Sequence, residues 1–181
     1  MKAHRVKNLD PQRRLAENAA RMIKVRLDEM LSFAPCALEP GCSREQHDLR
    51  IAAKRLRYVL EATGFCFGRP AQTALRRARE LQDLLGEVRD CVVMLPRIEA
   101  HLVELRTRDA LTIRQKAGDA PKLDPALAGQ ARHRNAYRGL EVLAVYVQAR
   151  RDLYFQRFVA FWEEQERVGT WQRLERAVTA P

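Results

Sequence analysis

The chain contains few of the residues that interrupt helices. Its 181 residues include only eight glycines and eight prolines, and β-branched residues are scarce outside short runs of valine. Alanine, leucine, arginine and glutamate, which have high helix propensity, are abundant. This composition predicts an all-α fold and argues against a β-sandwich or an α/β sheet.

Cysteine pairs, metal-ligand spacings and long apolar runs are also missing. The four cysteines form no C-x-x-C pair and the four histidines form no zinc-binding motif, so we expect reduced thiols and no metal or other cofactor. No apolar run approaches a membrane span, and the first residues, M-K-A-H-R-V-K-N, have no hydrophobic signal segment. A cytoplasmic protein without a membrane partner is expected.

Acidic residues are outnumbered. There are 33 lysines and arginines against 23 aspartates and glutamates, which gives a formal net charge of +10. An excess of this size favours anionic partners, whether nucleic acid, polyphosphate or a membrane surface. Aromatic residues make up only 7% of the chain, and we find no cluster of them that would stack single-stranded bases.

The first two helices are predicted from their capping signals. Asp10 followed by Pro11 indicates the start of a helix that runs to about Phe33. Ser43-x-x-Gln46 predicts a capping box for a second helix that ends near Gly64. Between them, a segment with two prolines and a glycine predicts a loop.

The rest of the chain predicts further helices. Pro70 marks the start of another helix, and Gly86 predicts a break or a bend in it, or a close approach of two backbones, before the next one. Residues 107–124 predict a connecting loop, and residues 140–167, which contain neither glycine nor proline, predict a long helix. We therefore expect an antiparallel helical bundle of five or six helices, including one long C-terminal helix. Residues 1–9 are expected to form a basic tail and residues 10–181 a single domain.

The segment from His47 to Glu61 carries the clearest functional pattern. At about 100° per residue, an α-helix places His47, Arg50, Lys54 and Arg57 on one face, and the opposite face is apolar. Like charges this close repel each other unless solvent and salt screen them or an anion lies along them. The spacing alone leaves a solvated surface and an anion-binding site as alternatives.

The pattern resembles a known family. H-x-x-R-I-x-x-K-R-L-R-Y-x-L-E at residues 47–61, followed by Leu81-Gln82-x-x-Leu85-Gly86-x-x-Arg89-Asp90, is similar to the conserved-histidine α-helical domain, called CHAD. The resemblance covers residues 44–98. It implies an all-helical fold that binds inorganic polyphosphate through basic and histidine side chains on facing helices. Larger members carry two related halves with the basic motif in each, whereas this sequence has one clear copy, so a homodimer that completes the site is an expectation.

From the resemblance and the helical pattern together we predict a non-enzymatic polyanion-binding module, associated with polyphosphate granules. The predicted polyphosphate-binding residues are His47, Arg50, Lys54, Arg55, Arg57, Arg76, Arg79, Arg89, Arg26 and Arg151.

Several of these residues have a structural alternative. Arg26 lies within an apolar stripe and must reach water, pair with a carboxylate or bind a ligand. Arg89 could form an ion pair with Asp90, and Arg151 could pair with a glutamate at the edge of the core. At the level of function, the alternatives are nucleic-acid binding and, less favoured, a metal-dependent phosphate-processing activity that would use Asp48, Glu61, Asp83 and Asp90.

Overall fold

A computed structural model describes residues 2–179, and within them the fold contains five α-helices and no strand. The helices are α1 (Leu15–Ala37), α2 (Ser43–Thr63), α3 (Gly68–Ala117), α4 (Arg134–Arg167) and α5 (Thr170–Thr179). Two short 3-10 segments, Gly64–Phe67 and Pro125–Gln130, precede α3 and α4. The all-α prediction is confirmed.

The first helix begins later than its capping signal suggested. Asp10 closes a turn instead, because its Oδ1 accepts the N–H of Gln12 at 2.9 Å and its carbonyl accepts the N–H of Arg13. α1 begins only at Leu15. At the other end, Pro35 lies in the last turn of α1 and not in a loop, since a proline there removes a single intrahelical hydrogen bond.

The predicted extent of the second helix is confirmed, but its capping box is wrong. Cys42 is the N-cap residue of α2 and provides no side-chain cap. The Gln46 side chain is used elsewhere, because its Nε2 donates to the Glu39 carbonyl at 2.9 Å. Gln46 thus fastens the short connection between α1 and α2.

The predicted break at Gly86 is wrong, and the loop predicted over residues 107–124 begins only at residue 118. α3 is one helix of 50 residues that continues through Gly86 and ends at Ala117. A glycine inside a helix costs only about 1 kcal/mol, and burial of Leu81, Leu85 and Val88 offsets that amount. The long helix predicted over residues 140–167 is confirmed as α4, although α3 is longer.

The chain divides into two compact units, and α3 and α4 each contribute to both. The first unit contains residues 2–89 and 152–179. Its core is fully buried around Ile23, Leu56 and Phe158, and it includes Trp162 and Trp171, whose ring centroids are 6.1 Å apart. Trp171 therefore attaches α5 to the core, and each of these side chains contributes roughly 1.5–3 kcal/mol by burial.

The second unit contains residues 90–151. In it α3 and α4 form an antiparallel pair, since Cys91 and Val147 belong to one apolar cluster and Arg106 Nη2 donates to Glu141 Oε1 at 2.6 Å. A buried carboxylate, Asp109, closes its end: it accepts the backbone N–H of His133 at 2.9 Å and contacts the His133 ring, and the Tyr137 hydroxyl donates to it. The Tyr137 hydrogen bond is the main cause that lowers the pKa of Asp109 to about 2. Asp109 therefore stays ionised and holds the end of the connecting loop.

Over residues 2–179, no helix combines the length and the apolar character that crossing a bilayer requires. The expectation of a single domain over residues 10–181 stays a prediction, and Met1 and residues 180–181 lie outside the described residues. Residues 2–9 have no regular secondary structure, but they are attached to the first unit, since the backbone N–H of His4 donates to Glu29 Oε1 at 3.3 Å.

Candidate anion-binding groove

α2 and α3 face each other in the first unit, and three pairs of residues give their register. The positive charge of the Arg89 guanidinium lowers the pKa of the His47 imidazole, so these two groups lie near each other. The Arg50 Nε lies 3.5 Å from the place that a Cβ at Gly86 would occupy. Further along, Arg79 Nη2 donates to Glu61 Oε1 at 2.8 Å. In these three pairs the residue number increases along α2 and decreases along α3, so the two helices are antiparallel. We call the surface between these facing sides the α2–α3 groove.

Four side chains on the facing sides of the two helices bury a polar atom that has no hydrogen-bond partner within residues 2–179. The atoms are His47 Nδ1, Arg50 Nε, Arg57 Nε and Gln82 Oε1. Arg57 Nε has a carboxylate oxygen of Glu61 at 3.5 Å, but without the geometry of a hydrogen bond. By the register of the groove, position 82 lies opposite position 54. A buried polar group without a partner costs about 1–3 kcal/mol, so such groups in a native protein require an explanation.

Gly86 makes room for one of these groups. Because residue 86 has no side chain, the guanidinium of Arg50 can lie directly against α3. The sequence motif contains this glycine, which by itself predicts a helix break or a close approach of two backbones. The structure shows instead that a side chain from the neighbouring helix occupies the space.

The far end of the groove is organised around one acidic residue. Glu61 Oε1 accepts the hydrogen bond from Arg79 and lies 3.5 Å from Arg57 Nε. The Tyr58 ring lies beside this pair, with the Arg57 guanidinium carbon 4.8 Å and the Lys54 Nζ 5.6 Å from its centroid. Glu61 and Tyr58 thus position the cations that the sequence predicted, as an ion pair and a cation–π contact can.

The imidazole of His47 is neutral at pH 7. Burial is the main cause that lowers its pKa below the ordinary value of 6.5, and the positive charges of Arg89 and Arg50 lower it further, while Asp48 opposes them. Arg89 itself makes no ion pair with Asp90 or with any other described residue, so the alternative that Asp90 neutralises it is wrong. The groove therefore has positive charge at both ends.

Arg26 and Arg55 have a carboxylate partner. Arg26 Nη1 donates to Glu29 Oε2 at 2.7 Å and Arg55 Nη1 donates to Glu29 Oε1 at 2.7 Å. Glu29 is fully buried, whereas the side chains of Arg26 and Arg55 keep 15% and 25% of their exposure. Of the three outcomes open to Arg26, pairing with a carboxylate is the one observed. A contact of either arginine with polyphosphate stays a prediction.

The two remaining predicted residues are not among the contacts that define the α2–α3 groove. Arg76 is exposed on α3 and lines a separate pocket. Arg151 is half-buried on α4 in the second unit. A role for these two arginines in binding stays a prediction.

One cluster in the described part of the chain offers metal-ligand atoms. Cys36, Cys42 and Glu45 place one such atom each within 4.8 Å of the others, and the two sulfur atoms are 2.8 Å apart. The hydrogen bond with Cys36 is the main cause that raises the pKa of Cys42 to about 11. Without a bound metal, Cys42 is therefore a thiol at pH 7. The absence of a metal stays a prediction.

Comparison with known families decides the assignment. The CHAD domain model matches residues 2–99, which is more than half of the chain. The chain belongs to the CHAD family. No curated protein and no solved structure matches it. The matched CHAD region contains α1, α2 and the part of α3 that faces α2.

The sequence did not identify three residues that line the α2–α3 groove or hold its arginines. Gln82 lies within the quoted motif, but a glutamine carries no charge and is not part of the basic pattern. Tyr58 borders the basic face, a position that by itself indicates no function. Glu29 had a visible signal, since it lies three residues after Arg26, where a helix brings the two side chains together.

The role of Gly86 predicts a difference between two substitutions. Gly86→Ala should retain anion binding and raise the free energy of unfolding by roughly 0.5–1 kcal/mol, because its Cβ makes an ordinary contact with Arg50. Gly86→Leu should displace the guanidinium and weaken binding about tenfold, the effect expected when one charge-assisted hydrogen bond is removed. Urea unfolding and anion titration of both variants measure these effects. Equal binding by the two variants would contradict this role of Gly86.

Proposed function

We propose that this protein binds inorganic polyphosphate, without catalysis, in the α2–α3 groove. The observation that carries the proposal is the set of four buried polar atoms without a hydrogen-bond partner, in a groove whose charged groups are mainly cations. Membership of the CHAD family, which is associated with polyphosphate binding, supports the same ligand.

The chemistry of the groove suits a flexible phosphate chain. Arg50, Lys54 and Arg57 follow each other at intervals of three or four residues, which separates neighbouring side chains by about 5–6 Å. Arginine offers a planar fork of donors and lysine a mobile point charge, and both bind phosphate oxygens without reading bases. Gln82 adds a neutral amide group. The groove can therefore contact successive phosphates of one chain.

Nucleic acid fits this groove less well. Binding of single strands depends on aromatic rings whose faces are open to bases. Tyr58 is exposed, but Lys54 and Arg57 both lie over its ring. A recognition-helix module is also absent from the sequence. Nucleic acid thus remains the second candidate on the strength of the net charge of +10.

A phosphate-processing enzyme would need carboxylates grouped to hold a metal ion. Of the four candidates, Glu61 is engaged by Arg57 and Arg79. Within residues 2–179 the other three, Asp48, Asp83 and Asp90, form no group with metal-ligand spacing. We therefore propose a binding role, and phosphate release from polyphosphate with magnesium or manganese would contradict it.

A competition titration tests the ligand. Labelled long-chain polyphosphate is displaced by duplex DNA and by single-stranded RNA at matched phosphate concentration, over a series of salt concentrations. Attraction by charge alone ranks the three polymers by charge density and weakens with salt according to the number of neutralised phosphates. We expect polyphosphate to bind much more tightly than its charge density alone predicts. We also expect this binding to persist near physiological salt. Equal competition by all three polymers would favour nucleic acid instead.

The lowered pKa of His47 predicts that binding strengthens in acid. In the free protein His47 is neutral at pH 7, and a bound polyanion raises its pKa, so the complex takes up a proton that the free protein does not hold. Affinity should therefore increase by up to about tenfold per pH unit as the pH falls through the interval between the two pKa values. In His47→Gln this dependence should disappear. An unchanged slope would show that another group titrates.

Two further proposals follow from the ligand. The protein would reside in the cytoplasm at polyphosphate granules, and two copies would join their grooves in a homodimer because each chain has one clear copy of the basic motif. Light scattering with and without polyphosphate tests the dimer. A monomer at all ligand concentrations would show that one chain forms the whole site.

A further inference from the structure

A second basic site lies in the first unit, where the beginnings of two helices meet. A pocket of about 460 Å³ is lined by Arg69, Pro70, Thr73, Arg76, Thr170 and Arg173. Three of the six residues are arginines and none is acidic. Such a lining attracts a compact anion.

The arginines of this pocket differ from their neighbours. Within residues 2–179, the side chains of Arg69, Arg76 and Arg173 make no ion pair or hydrogen bond. Close to them in the sequence, Arg77 pairs with Glu80 and Arg79 pairs with Glu61. The acidic residue nearest to Arg173 along α5, Glu175, is engaged by Lys24 of α1 at 3.0 Å. Three guanidinium groups thus share one pocket without a counter-charge.

Two helix amino termini add to this positive charge. Arg69 and Pro70 belong to the first turn of α3, and Thr170 is the first residue of α5. The first backbone N–H groups of a helix have no intrahelical acceptor, and the helix dipole makes that end positive. Thr170 is buried, and its hydroxyl donates to Gln165 Oε1 at 2.9 Å, which fixes the start of α5 at the pocket.

Resting on the proposed function, we infer that this pocket binds the terminal phosphoryl group of a polyphosphate chain. A terminal phosphoryl group carries close to two negative charges at neutral pH, whereas each internal phosphate carries about one. A compact pocket with three arginine forks selects the more highly charged group. Arg76 lies three residues before Arg79, on the same side of α3, so the pocket adjoins the Glu61 end of the groove.

The same chemistry would recognise a small free phosphate, so the test has two arms. In the first, inorganic pyrophosphate is titrated calorimetrically against the whole protein and two double variants. Arg69→Ala with Arg173→Ala should weaken pyrophosphate binding at least about tenfold, since at least one charge-assisted hydrogen bond is removed. Arg97→Ala with Arg176→Ala removes the same charge from exposed positions outside the pocket and should leave binding unchanged. Equal losses of affinity in the two double variants would overturn the site.

In the second arm, short polyphosphate with native ends is compared with polyphosphate of the same length whose ends are blocked as phosphoramidates. Blocking should weaken binding to the unmodified protein about tenfold and should have little effect on Arg69→Ala with Arg173→Ala. Pyrophosphate binding in the pocket without any effect of end-blocking would overturn the assignment to chain ends and leave a site for free phosphates.

A third comparison separates this inference from the proposed function. Lys54→Ala with Arg57→Ala changes the groove and not the pocket, so pyrophosphate should still bind. If long-chain polyphosphate fails to bind the unmodified protein while pyrophosphate binds through Arg69 and Arg173, the groove proposal is wrong and the pocket remains an anion site.

Arg69→Lys with Arg173→Lys, which retains charge but removes the forks, should have an intermediate affinity. Full affinity in the lysine variant would overturn the role of the forks.

Discussion

Lys54→Ala combined with Arg57→Ala should weaken polyphosphate binding by about 100-fold at fixed salt. Each side chain supplies at least one charge-assisted hydrogen bond to phosphate, and a bond of this kind contributes roughly 1.5 kcal/mol or more. Both side chains lie in the α2–α3 groove, close to the Tyr58 ring. The double variant should therefore show the largest decrease in affinity of the changes considered.

The same double substitution should change the stability of the folded protein very little. Arg57 lies 3.5 Å from Glu61, but Arg79 also contacts that carboxylate at 2.8 Å, so Glu61 keeps a partner. Ion pairs with solvent access contribute about 0–1 kcal/mol. Circular dichroism and thermal unfolding should consequently match those of the unmodified protein. Unfolding of the double variant would show that Lys54 and Arg57 are structural.

A control with the same change in net charge separates a shaped site from general attraction. Arg13→Ala with Arg167→Ala removes two exposed cations from the same unit, each paired with a glutamate on the surface. This control should bind polyphosphate within about threefold of the unmodified protein, because distant surface charges are screened. A salt series adds a second measure. The salt slope of the Lys54 and Arg57 variant should be smaller by about 1.4, or about 0.7 for each phosphate that the variant no longer neutralises.

The basic face of α2 could be predicted because it depends only on helical periodicity. The residues from His47 to Arg57 are local in sequence, and one assumption, that they are helical, places them together. Their partners on α3 required a second assumption about which helix lies opposite. The motif supplied Gly86 and Arg89, but only the packing of the two helices shows that the Arg50 guanidinium occupies the space beside Gly86.

Predictions failed where a local preference competed with another interaction. Ser43 and Gln46 have the spacing of a capping box, yet the Gln46 amide satisfies the Glu39 carbonyl. Gly86 is a helix breaker by propensity, yet a cost of about 1 kcal/mol is small beside the packing of α3. Arg55 belongs to the basic motif that predicts phosphate binding, yet its guanidinium contacts a carboxylate 26 residues away. The local sequence does not show which of the competing interactions the folded protein forms.

Glu29→Ala should cause the largest decrease in stability, about 3 kcal/mol in the free energy of unfolding. Glu29 is fully buried and holds both Arg26 and Arg55 at 2.7 Å. Removing one partner of a buried ion pair costs about 3–5 kcal/mol, since the remaining charge is left in a medium of low polarity. The low end of this range applies because both arginines retain some exposure to solvent. Urea unfolding followed by the fluorescence of Trp162 and Trp171 reports on this unit.

Glu17→Ala is the matched control for that measurement. Glu17 lies on the same helix and pairs with Arg13 at 3.3 Å, but both side chains are nearly half exposed. Its removal should change the free energy of unfolding by less than about 0.5 kcal/mol. Similar decreases for Glu17→Ala and Glu29→Ala would contradict the importance of the buried carboxylate.

A triple substitution decides between the two roles open to Arg26 and Arg55. Replacing Arg26, Glu29 and Arg55 together with methionine removes all three charges and fills most of their volume, and such replacements of buried ion groups are often neutral or stabilising. The triple variant should therefore fold with more stability than Glu29→Ala. If the two arginines act only through Glu29, it should bind polyphosphate as the unmodified protein does. Weaker binding by this folded variant would show instead that Arg26 and Arg55 contact phosphate, as the sequence predicted.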